Sequence, residues 1–237
     1  FKFINRKGEI MVLRPDITVP IARMVSAAKK DVPYLKFSYS GNVFRNQQEQ
    51  AGFRQEFGQV GIEFYGSTSP AADAEVIALA IQSLLLSGIR DFKIVLGQAE
   101  YFKGMLADIP VQHREHIGHL VEEKNFPGLE EALNELPVKE ESKKAILSIP
   151  YLVGEAQRVK ELAQQFVTNQ QMQEALDNLN QVCTVLQDFG FGQYIDVDLG
   201  LISNMEYYTG IMFKGYTSGF GKEVLAGGRY DNLSASY

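Results

Sequence analysis

The 237-residue chain contains one cysteine, Cys183, and no tryptophan. A single thiol cannot form a disulfide within the chain, so we expect a reducing, cytoplasmic setting. Positive charge is also scarce, since 23 lysines and arginines stand against 29 acidic residues and give a net charge of −6. The overall charge therefore does not indicate a surface for nucleic acid or another polyanion.

Long hydrophobic runs are absent as well. The most apolar segment, residues 76–86, contains Gln82 and Ser83 and is too short to cross a bilayer, so we predict no membrane partner. No signal peptide is visible. The chain begins at Phe1 in a segment typical of a domain interior, and we therefore expect a preceding part. The 45% hydrophobic content is enough for a substantial core.

Several familiar catalytic motifs are missing. The sequence has no Walker-type phosphate loop, no Rossmann fingerprint between a strand and a helix, and no nucleophile elbow. Three histidines, His113, His116 and His119, lie three residues apart on a predicted helix. That spacing drifts around the helix and no carboxylate or thiolate cluster completes it, so we predict a solvated helix face rather than a metal site.

The residues that are present divide the chain into three zones. Short β-prone runs fill residues 1–100, interrupted by one clear helix that is predicted to begin at a Ser69 cap with Pro70 in its first turn and to end at Gly88. This helix is apolar nearly all round, which predicts burial on every side. Residues 101–189 have helical periodicity, and residues 190–237 return to strands.

This order predicts an α+β fold with an antiparallel sheet, because the strands cluster instead of alternating with helices. We expect a discontinuous core, residues 1–100 and 190–237, and a helical insertion at 101–189. In the last predicted helix of the insertion, a stripe of apolar residues should face the core; it consists of Met172, Leu176, Leu179, Val182 and Leu186.

The strand "FGQVGIEFYG", residues 57–66, could carry a binding site. Gln59 and Glu63 should share one face with Gly61 between them, while Val60 and its alternate neighbours should seat the other face on the core. A carboxylate and an amide beside a glycine suit an ammonium group, with Glu63 supplying the charge. An ordinary solvated sheet face would give the same pattern.

Other polar residues allow two interpretations each. In "LRPDIT", Asp16 and Thr18 could bind a ligand or cap the following helix. Arg45, in "GNVFRN", could clamp a carboxylate or phosphate or form an exposed salt bridge. Arg229, which follows two glycines, could approach an anion or belong to a tight turn.

Taken in order, five segments resemble the catalytic domain of histidyl-tRNA synthetases, which have the class II synthetase fold. The segments are "VLRPDITVPIAR", "GNVFRNQQEQAGFRQEFGQVGIEFYG", "SPAADAEVIALA", "LGLISNMEYYTGIMF" and "AGGRYDNL". The resemblance implies an antiparallel sheet flanked by helices, with a helical insertion. The N-terminal part of that domain and its third motif are not seen in the sequence.

The resemblance also implies a histidine site. Asp16 and Thr18 match the pair that holds the α-amino group, and Gln59 and Glu63 match strand residues that contact histidine. Arg45 matches the arginine that grips the carboxylate and the ATP α-phosphate.

In the third zone, Tyr207 and Tyr208 match the tyrosine pair that encloses the imidazole. Arg229 resembles an arginine near the phosphates and is thus a possible anion-binding residue.

Two positions depart from the synthetase pattern. Ser203 stands where the synthetases carry an arginine in "LVRGLDYY", and Gln47 replaces a glutamate used around ATP. A serine cannot stabilise the negative charge that develops during adenylation, and loss of one such donor typically costs about 3 kcal/mol. The sequence thus retains residues for holding histidine and lacks residues for activating it.

This combination is similar to the regulatory subunits of ATP phosphoribosyltransferase, which are synthetase paralogues. That likeness implies no catalysis by the chain and no cofactor. The implied partners are L-histidine as a feedback effector and the short-form catalytic subunit, with the chain as a homodimer inside a hetero-oligomer; a tRNA partner is not favoured. Two alternatives remain: an active histidyl-tRNA synthetase, and a synthetase-derived protein that binds another amine.

Overall fold

The computed structural model describes residues 1–27, 34–46, 54–202 and 207–233. It separates into two compact units, one formed by residues 1–68 with 232–233 and the other by residues 69–231. The division of the chain into a synthetase-like core and an insertion at 101–189 stays a prediction.

The described residues of the first unit form two antiparallel hairpins and a helix. Its elements are β1 (Lys2–Ile4), β2 (Ile10–Val12), α1 (Thr18–Ala27), β3 (Leu35–Phe44) and β4 (Glu56–Tyr65). Strands β1 and β2 pair with each other, and β3 pairs with β4 along its whole length. The longer hairpin carries the Gln59–Glu63 strand predicted from the sequence.

The second unit combines a five-stranded sheet with helices. Its strands are β5 (Phe92–Gln98), β6 (Val153–Glu155), β7 (Ile195–Asp198), β8 (Ile211–Thr217) and β9 (Leu225–Gly228). Its helices are α2 (Pro70–Leu86), α3 (Ala99–Met105), α4 (Val111–Glu122), α5 (Phe126–Asn134), α6 (Glu140–Leu147), α7 (Ala156–Gln164) and α8 (Gln170–Asp188). Short 3₁₀ turns span Ile149–Tyr151 and Gly192–Tyr194.

The sheet of the second unit has the order β6-β7-β5-β8-β9. All neighbouring strands are antiparallel except β5 and β7, which run parallel. A parallel pair needs a long crossover, and the helices from α3 to α8 provide it. The predicted α+β fold is confirmed, with this one parallel pair in a sheet expected to be antiparallel.

Helix α2 begins as predicted, because the Ser69 side chain accepts a hydrogen bond from the Ala72 amide at 3.2 Å. The chain turns after it at Gly88, whose φ of +85° suits glycine. The expectation of burial on every side is wrong, since Leu79 is 41% exposed and Leu86 is 89% exposed.

The core of the second unit lies between the sheet and the helices. The apolar stripe of α8 is buried as predicted, from Met172 to Leu186. It packs with apolar side chains of α2, β5 and α3, among them Ile77, Ile94, Leu96 and Phe102. Helical periodicity alone was sufficient to assign this face, because a long amphipathic helix must bury its apolar stripe.

Candidate functional site

Glu63 is a buried acid on β4. Only 6% of its surface is exposed, and its Oε1 accepts a hydrogen bond of 2.7 Å from the Thr18 hydroxyl at the start of α1. Strand pairing places Phe37 opposite Glu63 and Tyr39 opposite Gly61. The structure therefore brings together two of the predicted residues, 45 positions apart in the chain, on a face lined by aromatic rings.

Tyr39 lies across Gly61 in the middle of this face. Any side chain at Gly61 would overlap the phenol ring, so glycine is needed for the close approach. The Gln59 amide donates a 3.0 Å hydrogen bond to the Tyr39 hydroxyl. Gln59 Oε1 and the Tyr65 hydroxyl are buried, and neither has a hydrogen-bond partner in the described part of the chain. This face is consequently rich in acceptor atoms.

The electrostatics of the face centre on Glu63. The pKa of its carboxyl is raised to about 7: burial is the main cause, the Thr18 hydrogen bond opposes the shift, and the nearby Asp16 charge adds to it. The pKa of Tyr39 is raised by burial and by Glu63, and that of Tyr65 is raised to about 12 by the same two causes. A cation placed here would stabilise the ionised form of Glu63.

One expectation about this strand is wrong. Val60 was predicted to seat the opposite face on a core, but it is 80% exposed, whereas Glu63 is buried. On the face that carries Gln59 and Glu63, Thr18 contacts Glu63, and the Arg14 and Ile17 side chains lie 3.2 and 3.3 Å from the Cβ position of Gly41, opposite Gln59. The polar face of the hairpin is therefore its enclosed side.

Asp16 lies beside this cluster. Its Oδ1 accepts a hydrogen bond of 2.9 Å from the Val19 amide, which is the geometry of a helix N-cap. The same carboxylate is near enough to Glu63 to raise the pKa of that residue. Both interpretations of Asp16 left open by the sequence are compatible with this position.

Arg45 is exposed at the end of β3. Its Nε donates to the Pro15 carbonyl at 3.1 Å, and the centre of its guanidinium lies 5.2 Å from the centroid of the Phe57 ring. Within the described ranges, no carboxylate is paired with it. This arrangement leaves the positive charge available to an anionic group, as the first interpretation of Arg45 requires.

Tyr207 and Tyr208 belong to the second unit. Their rings meet edge to face with centroids 4.9 Å apart, and the Tyr207 ring also lies 5.6 Å from that of Tyr230. The Tyr208 ring rests on Gly228, where a Cβ atom would be only 2.6 Å away. Tyr208 is thus packed against β9, and Tyr207 against Tyr230 just beyond that strand.

Arg229 is tied into an ion-pair cluster. It contacts Asp73 at 2.8 Å and Asp231 at 3.4 Å, and its side chain is 12% exposed. Burial raises the pKa of Asp73, although the Arg229 charge and hydrogen bond oppose the shift. Two carboxylates already balance this guanidinium, which favours a structural role; binding of an external anion stays a prediction.

Ser203 and Gln47, the two departures from the synthetase pattern, lie outside the described residues. His119 is on α4, exposed, and 3.9 Å from Glu115. Over the described ranges, no group of three or more histidine, cysteine or acidic residues is arranged to hold a metal ion. In the same ranges, no helix has both the length and the apolar character needed to span a membrane.

Sequence reasoning missed Tyr39 as part of the cluster. Gly61 is only a partial signal, because a glycine in a strand leaves room for a bulky neighbour without identifying which residue supplies it. Such a pair forms only if the two strands adopt the right register, and register depends on the intervening loop rather than on either strand alone.

Comparison with known proteins gives one family match over the whole chain: the family described as histidyl-tRNA synthetase matches residues 1–237. An ATP phosphoribosyltransferase regulatory subunit from Alkaliphilus metalliredigens is 43% identical over 240 residues, covering 100% of this chain and 61% of the relative. One from Acetivibrio thermocellus is 39% identical and covers 98% and 56%. The chain thus spans less than two thirds of these relatives.

Solved structures are similar too. A structure described as an ATP phosphoribosyltransferase regulatory subunit/histidyl-tRNA synthetase from Bacillus halodurans C matches with a TM-score of 0.91 at 34% identity, over 99% of this chain and 62% of that one. A histidyl-tRNA synthetase from Nostoc sp. PCC 7120 matches with a TM-score of 0.81 at 20% identity, over 100% and 57%. The second likeness supports the fold alone.

Proposed function

Because the chain belongs to the histidyl-tRNA synthetase family, we propose that it is a regulatory subunit of ATP phosphoribosyltransferase that binds L-histidine without activating it. The observation that carries the proposal is the buried Glu63 carboxylate, hydrogen-bonded to Thr18 on an acceptor-rich face. A buried acid with a raised pKa and orphan acceptors nearby is well matched to a ligand ammonium group.

The proposed roles follow the chemistry of each group. Glu63 and Thr18, with Asp16 and Gln59, hold the ammonium group of the ligand. Arg45 pairs with its carboxylate, in keeping with a guanidinium that contacts no carboxylate within the described ranges. Tyr207 and Tyr208 keep the assignment to the imidazole that the resemblance implies.

Loss of activation is inferred from residue types. Adenylation needs a cation where charge develops on the α-phosphate, and Ser203 offers only a hydroxyl there. Gln47 likewise replaces a carboxylate. Together with the names of the relatives, these substitutions favour a regulatory subunit over an active synthetase.

Binding of histidine produces feedback inhibition only if it favours one state of the assembly. A ligand shifts an assembly between two states only by its difference in affinity for them. In this proposal, histidine binds more tightly to an inhibited state of a hetero-oligomer formed with the short-form catalytic subunit, in which this chain is a homodimer. A cytoplasmic setting and the absence of a tRNA partner belong to the same proposal.

The decisive experiment combines binding and reconstitution. Calorimetry should detect L-histidine binding to the chain at pH 8, and Glu63→Gln should weaken it by about tenfold or more because the ammonium loses its counter-charge. Glu56→Gln, at the exposed start of the same strand, is the matched control. The chain should also co-purify with a short-form catalytic subunit and make its activity sensitive to histidine.

A second function has one observation in its favour, since the Bacillus halodurans structure is described by both names. Histidine-dependent exchange of pyrophosphate into ATP separates the two. Robust exchange would identify an active synthetase and overturn the interpretation of Ser203. Histidine binding without exchange, but with no association with the catalytic subunit, would reject the regulatory assignment while leaving the binding site in place.

A further inference from the structure

A lysine joins residues 207–210, here called the tyrosine segment, to the helices of the second unit. Lys103, on α3, donates from Nζ to the backbone carbonyl of Tyr208 at 2.9 Å, although the two residues are 105 positions apart. The same ammonium pairs with Glu100 at 2.8 Å. The Lys103 side chain is 29% exposed and that of Glu100 is 33% exposed, so both contacts are partly shielded from solvent.

Glu100 is itself held by α8. Its second carboxylate oxygen accepts a 2.8 Å hydrogen bond from the Gln171 amide, near the first turn of α8. Its backbone N–H donates to Gln98, a buried side chain that donates in turn to Asn178 in the middle of the same helix at 2.9 Å. A continuous hydrogen-bonded chain therefore runs from α8 through Glu100 and Lys103 to Tyr208.

The tyrosine segment also contacts β9 and the residue that follows it. The Thr209 amide donates to the Arg229 carbonyl at 2.9 Å, and the Tyr208 ring rests on Gly228. These contacts attach the segment to β9, whereas two contacts attach it to α3: Lys103, and a 3.0 Å hydrogen bond from the Ala99 amide to the Gly210 carbonyl. Of the two, Lys103 is the one linked through Glu100 to α8. Removing Lys103 would leave the Tyr208 carbonyl without its charged donor and Glu100 without its counter-charge.

We propose that Lys103 is a positioning residue that couples α8 to the tyrosine pair. The inference rests on the proposed function, because the tyrosine pair matters for regulation only if it contacts histidine. Coupling is reciprocal: if the position of α8 alters the affinity for histidine, histidine must bias the position of α8 to the same extent. In this proposal α8 takes part in the response to histidine.

The test uses Lys103→Met, which keeps the length of the side chain and removes its charge. We expect histidine to bind about fivefold to tenfold more weakly by calorimetry, because one charge-assisted hydrogen bond that positions the pair is lost. Lys103→Arg should restore affinity to within about twofold of wild type. The matched control is Lys93→Met, which breaks the 3.0 Å pair between Lys93 on β5 and Asp196 on β7 and should leave affinity unchanged.

A second measurement does not depend on the ligand. Hydrogen exchange at the Thr209 amide should be faster in Lys103→Met than in Lys93→Met, because the segment loses one of its two attachments to α3. If Lys103→Met does not fold, Gln171→Leu interrupts the same chain at an exposed position and should weaken histidine binding by about twofold to threefold.

The outcomes separate the two claims. Unchanged exchange and unchanged affinity in Lys103→Met would overturn the positioning role. Faster exchange with unchanged affinity would overturn the coupling to histidine. Absence of histidine binding by the wild-type chain would instead reject the proposed function, and with it the coupling, while the exchange data would still decide whether Lys103 holds the segment.

Discussion

At the scale of single residues, the protonation of Glu63 is linked to folding. Its pKa is about 7 in the folded protein and near 4.5 without the fold, so between these values the folded chain keeps a proton that the unfolded chain releases. The free energy of unfolding must therefore fall as pH rises through this window, by about 3 kcal/mol in all, and stay reduced above it.

Replacing Glu63 with Gln removes the difference in proton binding between the folded and the unfolded chain. We expect urea unfolding between about pH 4.5 and pH 8 to show a stability loss in the wild type that is absent in Glu63→Gln. Glu56→Gln should follow the wild-type profile. A Glu63→Gln profile that keeps the full slope would mean that another group is responsible.

Gly61 provides a second test at this scale. A methyl group at this position overlaps the Tyr39 phenol, so Gly61→Ala should displace the ring from Gln59. We expect a loss of about 1–3 kcal/mol in the free energy of unfolding, together with weaker histidine binding. Gly58, on the same strand, has nothing within 4 Å of its Cβ position. Gly58→Ala should change stability by less than about 0.5 kcal/mol, and equal effects of the two variants would contradict the role given to Tyr39.

At the scale of elements, sequence patterns predicted the helices better than the sheet. The stripe on α8 and the Ser69 cap of α2 depend on residues close in sequence, which periodicity and capping rules describe directly. The parallel pairing of β5 with β7 depends on how a long helical connection returns to the sheet, and no local pattern encodes that direction. The same limit concealed the placement of Tyr39 over Gly61.

Helix α1 allows its cap to be separated from the ligand site. Asn accepts an N-cap hydrogen bond as well as Asp does, so Asp16→Asn should retain the stability of α1, whereas Asp16→Ala should lose about 1 kcal/mol. If Asp16 also faces a ligand ammonium, both variants should bind histidine more weakly in calorimetry. Wild-type affinity in Asp16→Asn would show that Asp16 only caps the helix.

At the scale of the whole molecule, the fold family and a set of candidate histidine-binding residues could be predicted from the sequence, and five of these residues lie in the first unit. Two of these, Thr18 and Glu63, are in direct contact, and their binding of an ammonium group stays a prediction. What the sequence alone could not supply was the burial of Glu63, because that burial depends on contacts with residues distant in the chain, such as Thr18 at the start of α1, rather than on the strand that carries the acid.

Ligand-dependent stability tests the proposed site in the intact chain. L-Histidine at about a hundredfold excess over its Kd should add about 2.7 kcal/mol to the free energy of unfolding, which corresponds to roughly 5–10 °C in Tm. Histamine lacks the carboxylate proposed to pair with Arg45, and should therefore stabilise less at equal concentration; imidazole should stabilise least. Arg45→Met should reduce the difference between histidine and histamine, because neither ligand can then use the guanidinium. Equal shifts from all three ligands, or a larger shift from an unrelated amine, would contradict histidine as the effector and favour the protein that binds another amine.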